Sequence, residues 1–331
     1  MRRLSFTDVG FLVAENRQTP MHVGGVALYT LPQGVDERIF LHDLADQLRN
    51  ADELVPPFGD HLKTGRLGLA GPVSWERDPH LDLDYHIRHS ALPRPGRYRE
   101  LFTLVSRLHT TLLDRSRPLW EMHLIEGLQN RQFAVYTKTH HAAVDGARSV
   151  HIARSMLSAD PDSRLQDSPL SLASWKRYRA TLKRPQSGGP SDAQVRNVVD
   201  ALKSSFDSGA HLYSAARRIT RAWTGDDNLL LPFLKVPTSP INTSVDGARR
   251  FVAQSWPFAR IKAVARAYDG TFNDAVLAMC GGALRKYLQN HAELPEESLK
   301  AMVPVSVRAE GDVDSSNAVA SINADLGTNI Q

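Results

Sequence analysis

The chain carries a single cysteine, Cys280, in 331 residues. That excludes an internal disulfide and any metal cluster built on several cysteine ligands, and it fits a reducing compartment. Long apolar runs are also missing. None approaches the roughly 18 residues that a membrane-spanning helix needs, so any membrane contact is expected to be peripheral. The opening stretch MRRLSFTDVGFLVAENRQ begins with two arginines. Asp8 and Glu15 interrupt its apolar residues, which argues against a signal peptide. A strong charge of either sign is absent too. The net charge of +4 suits a phosphate-bearing ligand or an anionic surface and is too weak to argue nucleic-acid binding.

What is present is enough apolar material for a large core: 42% of the residues are hydrophobic and 23% charged. The length exceeds that of one small domain, so two lobes are expected. Residues 5–16, 36–50 and 98–113 show helical spacing, and HVGGVALYT (22–30) alternates as a strand, with Gly24 and Gly25 suggesting a bulge or a close approach. Residues 120–128 and 132–139 read as a hairpin, followed by a helix over 146–158. Residues 159–195 are rich in Ser, Pro, Asp and Gly and read as a linker, most mobile over 185–191. Beyond it come a helix over 195–223 with Arg217, Arg218 and Arg221 on one side, a Pro-rich crossing, a strand over 250–256, helices over 258–268 and 273–290, and strands over 300–307 and 318–326. The division is an N-terminal lobe (1–158), a linker with basic helix and crossover (159–245) and the start of a C-terminal lobe (246–331). Strands and helices mix without a strict βαβ rhythm, which favours a mixed α/β sandwich.

The string KTHHAAVDGARSVH (138–151) carries the chemistry. Side chains alternate along a strand, so His140 and His141 cannot share one site if the strand persists through both. One faces the interior and the other a cleft. Gly146 permits close approach of a ligand. An imidazole here can serve as a general base toward a bound hydroxyl, amine or thiol. A metal site would need His123 or His151 to complete the shell, since adjacent histidines splay apart. A nucleophile triad has no G-x-S-x-G elbow to rest on. The plainer reading is a structural histidine pair at a strand end.

The blocks around that string decide between these. HHAAVDG resembles the H-H-x-x-x-D-G motif of the CoA-dependent acyltransferase superfamily. TPMHVGG (19–25), LDLDYHIRHSALPRPG (81–96), RPLWEMHLIEGL (117–128), TFNDAVLA (271–278) and MVPVSVR (302–308) look like bacterial wax ester synthase/acyl-CoA:diacylglycerol acyltransferases. The resemblance implies a two-lobed, chloramphenicol-acetyltransferase-like α/β sandwich. It implies transfer of a long-chain acyl group from acyl-CoA to a fatty alcohol or a diacylglycerol, giving a wax ester or triacylglycerol. Acyl-CoA is then a co-substrate, with no permanently bound cofactor and no metal. The expected location is cytoplasmic, peripheral to a membrane or a lipid inclusion.

Residue by residue, the resemblance makes His141 the base and gives His140 a supporting part. Asp145 is expected to pair with Arg308 and hold the loop, while Gly146 leaves room for substrate. Asn273 reads either as a helix N-cap or as a group orienting acceptor or thioester, and Asp274 serves the helix end. Trp120, Met122 and Leu124 read as core, and Glu121 and Glu126 as solvated or paired surface acids. The resemblance also implies a continuation beyond Gln331. The second lobe is expected to be incomplete here, with a C-terminal portion or a second chain supplying the rest.

Overall fold

A computed structural model describes residues 2–160, 163, 167–182, 236–306 and 319–330. These form two compact units. One holds the described residues up to 182 together with 245–253. The other holds 236–244, 254–306 and 319–330.

The first unit is built on a four-stranded sheet. Its strands are β2 (His22–Thr30), β5 (Ile87–Ala91), β6 (Trp120–Leu128) and β7 (Gln132–His140), in the spatial order β2-β7-β6-β5. Only the β5–β6 pair is parallel. The first strand pair of a second, antiparallel sheet is a hairpin of β3 (Asp60–Gly65) and β4 (Gly68–Arg77), to which β1 (Arg2–Arg3) adds.

Both faces of the main sheet are covered along β6, which reads as a continuous buried run from Trp120 to Ile125. Trp120, Met122 and Leu124 point to one side and pack in a core with Leu54, Val144, Ile152 and Trp175. Ile125, Ala134 and Tyr136 point to the other and pack on Leu101 and Val105 of the helix α4 (Tyr98–Thr110). Each fully buried aliphatic chain here contributes about 1.5–3 kcal/mol. The remaining helices of this unit are α1 (Phe6–Ala14), α2 (Glu37–Arg49), α3 (Leu83–His86), α5 (Gly146–Ser155) and α6 (Leu172–Thr181). Ser5 caps α1 in a reciprocal box with Asp8. Asp36 caps α2.

The second unit has α7 (Phe258–Ala267), α8 (Phe272–Asn290) and an antiparallel pair, β8 (Lys300–Ser306) with β9 (Val319–Asp325). Among the described residues no helix is long and apolar enough to cross a membrane.

The expected elements appear with their ends moved by a residue or a few, apart from three departures. The segment expected to be a linker contains α6, because Ser171 caps it and Trp175 is driven into the core. Residues 250–256 form no strand, for no ladder partner lies beside them among the described residues. Phe251 instead donates its N–H to Ser106 Oγ at 2.8 Å. Strand β1, the β3–β4 hairpin, α3 and β5 were not anticipated. The expectations of a basic helix with Arg217, Arg218 and Arg221 and of mobility over 185–191 fall outside the described residues.

Candidate active site

Strand β7 is central, paired with β2 on one side and β6 on the other. Its last ladder partner is His22, opposite His140. Where the ladder ends, neighbouring backbone takes over. The His140 N–H donates to Leu119 O at 3.0 Å, the His141 N–H to Met21 O at 2.8 Å, and the Ala143 N–H to His140 O at 2.9 Å. Both histidines are thus held at the main chain before their rings are considered.

The two rings have different surroundings. His140 is fully buried. Its Nδ1 accepts the Ala142 N–H at 3.0 Å, so the neutral ring carries its proton on Nε2, which lies 3.4 Å from Glu15 Oε1. His141 is half-buried and stacks on Phe11 of α1, with ring centroids 4.2 Å apart. Its Nδ1 is sealed from solvent and meets no hydrogen-bond partner among the described residues. The alternation expected of a strand holds: one ring lies in the interior and its neighbour lies partly open.

Glu15, Arg115 and Phe11 complete this arrangement, and none of them was anticipated. Glu15 follows α1 directly, and its side chain is only 1% exposed. Its Oε1 accepts the Met21 N–H at 3.1 Å, and its Oε2 takes the Arg115 guanidinium at 3.1 Å. Arg115 also donates to Leu12 O at 2.6 Å. Burial works against a charged Glu15. His140, the Met21 N–H and Arg115 together outweigh it and hold the carboxyl down at about 2.

Asp145 is buried and caps α5, accepting the Arg148 N–H at 2.9 Å. Arg308, its expected partner, lies outside the described residues. Gly146 is the first residue of α5, and a Cβ there would meet nothing within 4 Å among the described residues.

Asn273 and Asp274 lie in the second unit, at the start of α8. The cap is Thr271, not Asn273. Asp274 closes the box, accepting the Thr271 N–H at 2.8 Å, and these Thr271 bonds lower its carboxyl. Asn273, two positions after the cap, is exposed. The histidines considered for a metal shell are engaged elsewhere. His123 Nε2 lies 3.4 Å from Glu121, and His151 Nδ1 bonds Tyr178 Oη at 2.8 Å.

Comparison with known proteins places this loop in context. Residues 4–276 match the family described as the wax ester synthase/diacylglycerol acyltransferase catalytic domain. The chain belongs to that family. A probable diacylglycerol O-acyltransferase of Mycobacterium tuberculosis is 45% identical over 324 residues, covering 98% of this chain and 68% of that protein. The solved wax ester synthase/diacylglycerol acyltransferase of Marinobacter aquaeolei VT8 is 39% identical with a TM-score of 0.71, covering 99% of this chain and 68% of that one. The first condensation domain of the calcium-dependent antibiotic synthetase reaches a TM-score of 0.52 at 14% identity over 98% of this chain and 69% of that one, a likeness of fold alone. Both structural likenesses agree with the expected mixed α/β class.

The sheet face under α4 in this acyltransferase is unexpectedly polar. Glu121, expected at the surface, is 5% exposed. It lies 3.3 Å from Lys138 Nζ, 3.4 Å from His123 and 3.5 Å from Arg88. The alternation of β6 explains the error: with both faces covered, the residue between Trp120 and Met122 is also inside. Further along, Tyr136 Oη meets His109 Nδ1 at 2.9 Å, and His22 Nε2 meets His109 O at 2.8 Å. Gly24 makes room for that pair, since a Cβ there would come within 3.0 Å of Tyr136 and 2.9 Å of His109. Close approach, rather than a bulge, is the use of Gly24.

His22 gives this face a pH dependence. Burial, with positive charge from Lys138 and His109 beside it, pushes the His22 imidazole from 6.5 down to about 4. Between those values the unfolded chain binds a proton that the folded chain refuses. Stability therefore falls as pH drops through that window, with the sign fixed by the extra proton on the unfolded side. The gap corresponds to about 3 kcal/mol at most, at ~1.4 kcal/mol per tenfold. His86 and His109 are lowered by burial and act in the same direction. Urea unfolding at pH 7 and pH 4.5 is expected to show this loss. In His22→Gln, which keeps a donor for the His109 carbonyl, the loss is expected to shrink. An unchanged difference would show that His22 is already protonated in the folded state.

Proposed function

We propose that this chain moves a long-chain acyl group from acyl-CoA to a fatty alcohol or a diacylglycerol in one ternary complex, with His141 as the general base. The observation that carries this reading is the half-buried His141 ring, fixed at its backbone on the motif loop and sealed at Nδ1. Nε2 is then the nitrogen left for a substrate. The acceptor hydroxyl gives its proton to Nε2 as its oxygen forms the C–O bond to the thioester carbonyl carbon. The C–S bond breaks, and the same proton passes to the departing CoA thiolate. The thioester is already activated, so no acyl-enzyme is required. A positioned imidazole contributes about 10²–10⁴-fold to such a step. The Asp145 cap sets where α5 begins, and with it the run of the loop after His141. Asp145–Arg308 pairing, open space for substrate at Gly146 and orientation of acceptor or thioester by Asn273 belong to the same proposal. Acyl-CoA is a co-substrate here, no cofactor stays bound, and the acceptor is met at a membrane or lipid-inclusion surface.

The test offers palmitoyl-CoA, and in a parallel arm a palmitoyl carrier protein, with hexadecanol, with dipalmitoylglycerol and with neither, and measures ester, free thiol and bound lipid together. It uses the 331-residue chain and a version extended to the length of its relatives. Ester and thiol appearing in equal amounts, in either version, support the proposal. Two outcomes overturn it. One is ester formed only from a palmitoyl carrier protein, the donor of a condensation-type enzyme. The other is lipid bound without turnover in both versions, as in a non-catalytic lipid-binding protein.

A further inference from the structure

We infer that Glu15 is a positioning residue for His141, acting through two routes that converge on one loop. This rests on the reading of His141 as the base.

The first route runs along the backbone. Glu15 Oε1 accepts the Met21 N–H at 3.1 Å, and the carbonyl of the same Met21 accepts the His141 N–H at 2.8 Å. The carboxylate therefore fixes the peptide that holds the base. The second route runs through the neighbouring ring. Glu15 Oε1 lies 3.4 Å from His140 Nε2, an electrostatic contact without hydrogen-bond geometry, and His140 Nδ1 accepts the N–H of Ala142, the residue just beyond His141. One carboxylate oxygen thus reaches the main chain on both sides of the base.

The helix that ends at this carboxylate also touches the base directly. Phe11 stands four residues before Glu15, one helical turn away, and so shares its face. It supplies the ring on which His141 stacks. Movement of the Glu15 end of α1 would shift the ring platform and the backbone anchor together. Arg115 braces the whole from behind through Glu15 Oε2 and Leu12 O. A buried, charged acid with this partner set is a costly feature to keep unless its geometry matters.

Geometry of this kind is worth much at a proton-transfer site. A displacement of about 1 Å, from a change that never touches substrate, costs up to about 100-fold. Glu15→Gln keeps the size and an acceptor oxygen but removes the charge that holds Arg115 and His140. It is expected to lower kcat by about 10- to 100-fold with KM little changed.

The deciding experiment is a cycle of wild type, Glu15→Gln, His141→Ala and the double variant, assayed with palmitoyl-CoA and hexadecanol. A residue that works only through His141 has nothing left to lose once the imidazole is gone, so the double variant should be no slower than His141→Ala alone. A general packing role would instead subtract the same factor in both backgrounds, and that result overturns the inference. So does a Glu15→Gln enzyme with unchanged kcat. Should Glu15→Gln not fold, Phe11→Leu takes its place in the same cycle, with the same outcomes deciding. If His141→Ala matches wild type, it is the assignment of the base that fails, and the arms of the cycle separate that case from the others.

Discussion

His141→Ala is expected to lower kcat by about 10²–10⁴-fold while leaving the unfolding free energy within about 1.5 kcal/mol of the parent. The ring is half-buried, and among the described residues its Nδ1 has no hydrogen-bond partner and its one close aromatic contact is the stack on Phe11. Truncation therefore removes little that holds the fold. The adjacent substitution should do the reverse. His140 is fully buried, and His140→Ala opens a cavity, orphans the Ala142 N–H and strips Glu15 of a neighbour. That combination costs about 2–5 kcal/mol. Urea unfolding and steady-state kinetics on the two variants separate the roles. If His141→Ala unfolds as early as His140→Ala, its lost activity reflects a damaged loop and says nothing about a base.

This split between neighbours was readable from the strand alone, since alternation sends adjacent side chains to opposite faces. Which ring went inside was not. Alternation leaves that choice open; the resemblance of HHAAVDG to the family motif made it, giving His141 the base role, but not the contact that the helix of residues 6–14 makes through Glu15. Glu15 sits 125 positions before His140, and in the sequence it looks like an acid that merely interrupts an apolar run. Long-range contacts made by a single carboxylate leave no periodicity behind them. Asn273 shows the complementary error. Asn is a favoured cap, but Thr271 two residues earlier can close a box with Asp274, and the box wins.

The elements themselves were legible where their apolar spacing was strong. Strand β2 and helices α2 and α4 fall at or within a few residues of their expected ends. Helix α6 was hidden because it buries mainly Trp175 and is flanked by Ser- and Pro-rich sequence, so composition outvoted its single anchor. The supposed strand over 250–256 failed for the opposite reason. Its residues favour extended backbone, but a strand exists only when a neighbour completes its ladder. Glu121 was misplaced because half-buried alternation was assumed for β6, whereas a sheet covered on both faces buries every position.

Lys138→Met follows from that same covered face and is expected to cost about 3–5 kcal/mol of folding stability. Lys138 is 1% exposed. Its Nζ lies 3.3 Å from Glu121 Oε2 and donates to Leu108 O at 3.0 Å and Thr111 O at 2.9 Å. Those carbonyls belong to the end of α4, where the helix leaves acceptors without partners and favours a cation. Burial pushes the Lys138 ammonium below its usual range against the pull of Glu121, while His123, Lys138 and Arg88 overcome burial and hold the Glu121 carboxyl at about 2. Removing the lysine takes a close cation from a buried carboxylate, leaving Arg88 and His123 beside it, and unpairs two carbonyls at once. Replacing both partners, Glu121→Leu with Lys138→Met, removes that carboxylate and should recover part of the loss. About 1–3 kcal/mol should remain, because the α4 carbonyls stay unpaired. The signature to look for in urea unfolding near neutral pH is therefore a double variant more stable than Lys138→Met alone. Losses that simply add would mean the two side chains stabilise the sheet independently, and the buried pair would then be a coincidence of position.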